Sequence, residues 1–144
     1  MDESASVTDH LLRVLIVDGD GRVRRGLRAL LEVQPDIVVI GEAATAAQAE
    51  QCSAALRPSV VLLDLMLPTL HDGLAAVHFL TAHKRPCVAI SWHAGLREVA
   101  LEMGASDFVE KGSSPEIVLV ALRGACHPTD QQGSPPQRQI EVSP

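Results

Sequence analysis

The chain has 144 residues, with 18 acidic side chains against 12 basic ones and a formal net charge of −6 with its six histidines neutral. That length suits one domain with one sizeable core, and 47% hydrophobic residues exclude a disordered chain. Aromatics are only 2%, with no Tyr, which excludes a stacking platform for single-stranded nucleic acid, and the acidic balance argues against binding a phosphate backbone with the whole surface. Cys52, Cys87 and Cys126 lie far apart without zinc-ligand spacing, so free thiols in a reducing compartment are expected. No apolar run approaches the ~18 residues of a membrane span. The polar opening MDESASVTDH does not read as a secretory signal, so a cytoplasmic protein is expected.

Residues 1–10 read as a flexible leader and 127–144, rich in Pro, Gln and Ser, as a disordered tail or linker stub. The body, 11–126, alternates short β-branched runs with helical patterns. Leu12 to Val17 is continuously apolar, as a strand buried on both faces requires. In GRVRRGLRALLE, Val23, Leu27, Leu30 and Leu31 mark one helix face, and Pro35 stops it. Ile37 to Ile40 is a second strand. Ala46 to Leu56 is a helix with Ala49, Cys52 and Leu56 on its apolar side. Val60 to Leu63 is a third strand ending in Asp64. After the loop LMLPTLHDG, a helix is predicted from about Leu74 to Ala82, with Leu74, Val77 and Leu80 inward. Val88 to Ser91, a short helix Leu96 to Met103 with Gly104 just beyond it, and a strand Asp107 to Glu110 follow. Ser114 and Pro115 open a last helix, with Ile117, Val120, Ala121 and Ala125 toward the sheet. The expected fold is α/β, a five-stranded doubly wound parallel sheet with helices on both faces.

Ligands of such sheets sit beyond the carboxyl ends of the strands. There the chain places Asp18, with Gly19 and Asp20 after it, then Asp64, Ser91 and Lys111. Clustered carboxylates bind a hard divalent cation through oxygen. A carboxylate can then act as nucleophile toward a phosphoryl group, with the hydroxyl and the ammonium holding its oxygens.

The stretches VLIVDGDGRVRRGLRALLE, PSVVLLDLMLP and GASDFVEKGSSPEIVLVAL resemble the receiver domain of bacterial response regulators, of CheY-like (βα)5 fold, and are most similar to receivers of the LuxR/NarL type. The resemblance covers about residues 12–125. It implies that Asp64 is the phosphoacceptor, Asp18 the first acid of the family's acidic pair, and Met66 a backbone-carbonyl ligand to Mg²⁺. It makes Ser91 the switch hydroxyl, Phe108 the aromatic that changes rotamer with it, and Lys111 the partner of Asp64 or its phosphate. Pro68 matches the family's proline four residues after the acceptor.

The pattern is also broken. Gly19 stands where the family has its second acid, so a weakened Mg²⁺ site is expected, with Asp20 as an alternative ligand or, instead, a cap for the following helix. Trp92, after Ser91, either covers Asp64 or points outward. The loop PTLHDG is one residue longer than usual, and Gly112 replaces the common proline or aspartate after Lys111. Arg22, Arg24, Arg25 and Arg28 form a basic face, either solvated and balanced by acids or a docking surface. The histidines show no ligand spacing.

Two functions follow as expectations. One is a non-enzymatic two-component receiver, phosphorylated on Asp64 by a sensor histidine kinase, that switches partners, including a homodimer, through its helix 4–strand 5–helix 5 face. The other is a phosphorylation-independent pseudo-receiver that binds protein or ligand. The proline-rich end also fits a linker to an output domain, as in a longer DNA-binding transcription regulator, although these residues themselves would not touch DNA.

Overall fold

The computed structural model describes residues 11–126; the leader and tail read above lie outside the described residues. In chain order the elements are β1 (Leu12–Val17), α1 (Gly21–Glu32), β2 (Ile37–Ala43), α2 (Ala46–Leu56), β3 (Val60–Asp64), α3 (Leu70–Ala82), β4 (Cys87–Ser91), a 3₁₀ turn (Ala94–Leu96), α4 (Arg97–Glu102), β5 (Asp107–Glu110) and α5 (Pro115–Ala125). One sheet of order β2-β1-β3-β4-β5 carries only parallel pairings. The chain steps from β1 to β2 on one side and returns to β3 on the other. The crevice of this topology therefore opens over the ends of β1 and β3.

Alternation along each strand sorts side chains into two cores. Val14 and Ile16 of β1, Leu62 of β3 and Ile90 of β4 face α1 and α5, meeting Leu31, Leu119 and Leu122. Leu15, Val17, Leu63, Ala89 and Phe108 face α2, α3 and α4, meeting Ala49, Val77, Leu80 and Ala100. Every residue of β3 and β4 is buried, and each large aliphatic side chain hidden this way contributes about 1.5–3 kcal/mol. That burial holds the two strand ends carrying Asp64 and Ser91 rigid.

Several boundaries differ from those predicted. α3 begins at Leu70 rather than Leu74, because the Thr69 hydroxyl accepts the Asp72 amide and caps the helix one turn earlier. β2 runs on to Ala43: its register with β1 jumps from Val14↔Val39 to Leu15↔Gly41, so Ile40 is bulged and pairing resumes. The predicted helix from Leu96 opens instead as a 3₁₀ turn, with α4 only Arg97–Glu102. Ser114 occupies the N-cap of α5 but makes no side-chain cap, while Pro115 takes the first turn as expected. The inward stripe of α5 is Val118, Leu119, Ala121, Leu122 and Ala125. Ile117 and Val120, predicted inward, are 51% and 69% exposed.

Candidate functional site

Four chemically active side chains converge at the strand ends. Asp18 follows β1, Asp64 closes β3, Ser91 closes β4, and Lys111 follows β5. Asp18 and Ser91 are each only 1% exposed and Asp64 7%. A cavity of about 550 Å³ opens in front of them, lined also by Thr45, Trp92 and His93.

Backbone bonds set the positions. The Asp18 amide donates to the Ala43 carbonyl (3.0 Å), continuing the β1–β2 ladder past its last pair. The Lys111 amide donates to the Ser91 carbonyl (2.8 Å), which ties the β5–α5 loop to β4. α3 comes so close to the turn after β3 that a Cβ on Gly73 would overlap the Leu65 carbonyl group. Only glycine permits that approach. The turn itself contains a cis Leu67–Pro68 peptide.

Each carboxylate oxygen has a partner. Asp18 Oδ1 accepts the Asp20 amide (2.9 Å), and Oδ2 accepts from Lys111 Nζ (2.8 Å). Asp64 Oδ1 accepts the Met66 amide (3.2 Å), and Oδ2 lies 3.3 Å from Lys111 Nζ. One ammonium thus bridges two buried carboxylates. Burial pushes the Asp64 carboxyl above the usual carboxylate range; the Met66 amide pulls it back, the Asp18 charge pushes it further, and Lys111 opposes both pushes. The Ser91 hydroxyl accepts the His93 amide (3.1 Å) and keeps its proton free to donate.

Phe108 is buried, its ring under the Arg97 guanidinium at 5.5 Å. Arg97 also donates to the Phe108 carbonyl (2.9 Å) and lies 3.6 Å from Asp107. Asp20 lines the rim of the cavity and caps α1, its Oδ1 accepting the Arg22 amide at 2.9 Å. Trp92 is 66% exposed and lies against the β5–α5 loop. A Cβ on Gly112 would stand 3.3 Å from the indole, and Gly112 has φ +89°, so glycine here serves both the backbone and the indole. Of the α1 arginines, Arg24 and Arg28 both pair with Glu42 of β2 (2.9 and 2.6 Å), and Arg28 also pairs with Glu32.

Two positions carry no sequence signal for their roles. Arg24 donates to the Asp18 carbonyl (2.6 Å) while held by Glu42, which fixes the β1–α1 loop. Arg97 latches α4 onto β5 at Phe108. Neither leaves a local signature, because the partners are a distant strand and a backbone carbonyl.

A doubly wound sheet of order 2-1-3-4-5 with acids at the β1 and β3 ends, a hydroxyl on β4 and a lysine after β5 defines a class of signalling modules. The family model for the response regulator receiver domain matches residues 14–123, and the chain belongs to that family. It is 39% identical over 105 residues to a protein-glutamate methylesterase/protein-glutamine glutaminase of Alkalilimnicola ehrlichii, covering 69% of this chain and 27% of that one. To the Geobacter metallireducens methylesterase/glutaminase 4 it is 34% identical over 122 residues, covering 85% and 34%. The chain thus spans about a third or less of these relatives. Among solved structures, the response regulator domain of Thermotoga maritima CheB superposes with TM-score 0.72 at 27% identity, covering 81% of this chain and 96% of that one. A LuxR-family response regulator from Aurantimonas sp. superposes with TM-score 0.75 at 29% identity, covering 81% and 85%.

Receiver domains generally bind Mg²⁺ at an acidic site. Here the acidic set, Asp18 and Asp64 with the nearby Met66, is one carboxylate short at Gly19 and fits a divalent cation poorly. Gly19 brings no carboxylate, Asp20 has its Oδ1 in the α1 cap, and Asp18 and Asp64 share Lys111. Among the described residues no group of three or more His, Cys, Asp or Glu could hold a metal ion. No helix among them is long and apolar enough to cross a membrane.

Proposed function

We propose that this domain receives a phosphoryl group on Asp64 from a sensor histidine kinase and passes the signal on by changing partners. The observation that carries this reading is the convergence of Asp64, Lys111 and Ser91 on one open cavity, with the indole of Trp92 lying toward Gly112. In the transfer, an Asp64 carboxylate oxygen forms the new O–P bond while the P–N bond of the donor phosphohistidine breaks and its imidazole nitrogen leaves with the electron pair. Lys111 is placed to balance the added charge, and the Ser91 hydroxyl to donate to a phosphoryl oxygen.

As Ser91 turns toward the phosphate, buried Phe108 changes rotamer with it, the coupling that the family resemblance implies. The face carrying α4, β5 and α5 then changes, a shift between two pre-existing packings. That face already exposes Ile117 and Val120 beside the Arg97–Phe108 contact, which supports homodimerisation or partner exchange there. The domain itself performs no turnover; it works in the cytoplasm, where a kinase and its phosphodonor meet it. In a longer chain it would control an attached output, either an esterase domain as its methylesterase relatives suggest or a DNA-binding domain as its LuxR-family neighbour suggests.

A second reading is favoured by one specific observation, the loss of the acid at Gly19 together with the pairing of Lys111 to Asp18: a pseudo-receiver that binds its partner without phosphate. Incubating the full chain with a small phosphodonor such as phosphoramidate and measuring intact mass separates the two. The receiver reading expects one phosphoryl group on the wild type and none on Asp64→Ala. No gain, or an equal gain on both, contradicts it.

A further inference from the structure

The geometry points to Lys111 as the resident cation of the acidic pocket and to Gly19 as the position that denies it a divalent metal. The inference deepens the reading of this pocket as a phosphoryl-accepting site and rests on it.

Three independent observations lead here. First, the charge count is short. Asp18 and Asp64 supply two negative charges, and Lys111, 2.8 Å from one and 3.3 Å from the other, cancels one of them. A dication entering this cluster meets a net charge of one rather than two, and competes with the ammonium for Oδ2 of both carboxylates. Affinity for a hard cation depends on ligand charge and on preformed oxygen positions, and both are deficient.

Second, the neighbouring acid does not substitute. Asp20 points into the first turn of α1, where its Oδ1 accepts the Arg22 amide. Its own amide is given to Asp18 Oδ1. Asp20 lines the rim of the cavity, but swinging its Oδ1 inward as a ligand would uncap the helix.

Third, the missing carboxylate is missing by composition and not by lack of room. A Cβ on Gly19 would have only the Ala44 carbonyl oxygen within reach, at an ordinary 3.7 Å. Gly19 is exposed, and its backbone does not occupy the left-handed region that favours glycine. The Cβ of an aspartate has room there, at the edge of the cavity that Gly19 lines.

The direct test counts bound metal in the full chain. Mn²⁺ is titrated into the protein at constant ionic strength, and free Mn²⁺ is read from its electron paramagnetic resonance signal. The expected result is that wild type removes no more Mn²⁺ from solution than Asp64→Ala does. Gly19→Asp should bind one equivalent at least about tenfold more tightly than wild type. Lys111→Met, which keeps the alkyl stem but frees both carboxylates, should also gain affinity over wild type; if circular dichroism shows that it is unfolded, Lys111→Gln takes its place. Wild type holding one Mn²⁺ as tightly as Gly19→Asp, with loss in Asp64→Ala, would overturn the inference. So would a Gly19→Asp protein that gains nothing, or a lysine variant with unchanged affinity. No phosphodonor enters this titration, so its failure is distinct from a failure of Asp64 to accept phosphate.

Discussion

Lys111 Nζ stands 2.8 Å from Asp18 Oδ2, across 93 residues of sequence, and half an ångström further from Asp64. The acid expected to receive the phosphoryl group is therefore the more loosely held of the two. Its carboxyl is also raised, chiefly by burial. An anionic oxygen that is desolvated and only partly neutralised is a better nucleophile than one locked in a tight ion pair.

That electrostatic position has a stability consequence. Because the folded-state value of Asp64 lies above its ordinary 3.8, the native state prefers the protonated carboxyl. The contribution is fully present below 3.8 and lost as pH rises through the folded value. Asp64→Asn, neutral at every pH, should melt a few degrees higher than wild type at pH 7. The gap should close as pH falls toward 3.8. Thermal unfolding over a pH series checks this; a gap independent of pH would contradict it.

Glu42 works in the opposite sense. The Arg28 hydrogen bond, opposed by burial and aided by Arg24, holds its carboxyl below the ordinary 4.5. The stabilisation is present above 4.5 and lost as pH falls through the folded value. Glu42→Gln should cost about 1 kcal/mol near neutral pH, since these pairs are partly screened by solvent, and nothing in strong acid. Denaturant unfolding at the two pH values reads the difference.

Two glycines should respond in opposite directions to alanine. Gly73→Ala drives a methyl into the Leu65 backbone and should destabilise by about 3 kcal/mol, because backbone cannot yield as a flexible side chain can. Gly26, inside α1 with nothing within 4 Å of its missing Cβ, should gain about 1 kcal/mol as alanine. Chemical denaturation of the pair tests how tightly α3 packs on the β3 turn.

Arg97→Ala removes the carbonyl contact and the ring contact at Phe108 together. Amide exchange in β5 should accelerate by about tenfold while β1 and β3 stay protected, since only the α4–β5 seam is loosened. Uniform acceleration across the sheet would show a global effect instead.

Much of this architecture is legible in the amino-acid sequence. The buried strands read directly as apolar runs, and the acids, hydroxyl and lysine at their ends mark the site. The cap role of Asp20 is legible as an alternative to metal binding. The first turn of α3 is obscured although Thr69 and Asp72 carry a capping pattern, because Pro68 just before them reads as loop. The buried face of α5 differs from the expected one: with Ile117, Val118, Leu119, Val120, Ala121 and Leu122 in succession, periodicity cannot choose a face. The extension of β2 depends on a bulge against β1, and the preference of Lys111 for Asp18 over Asp64 on tertiary placement. Neither is encoded in local pattern.

The most direct measurement locates the phosphoryl group itself. The chain is treated with phosphoramidate, reduced with borohydride, which converts an aspartyl phosphate to homoserine, and mapped by peptide mass spectrometry. The expected product is homoserine at position 64 in the wild type and nowhere in Asp64→Ala. Homoserine at Asp18 or Asp20, or an unmodified chain, would contradict the assignment of Asp64 as the acceptor.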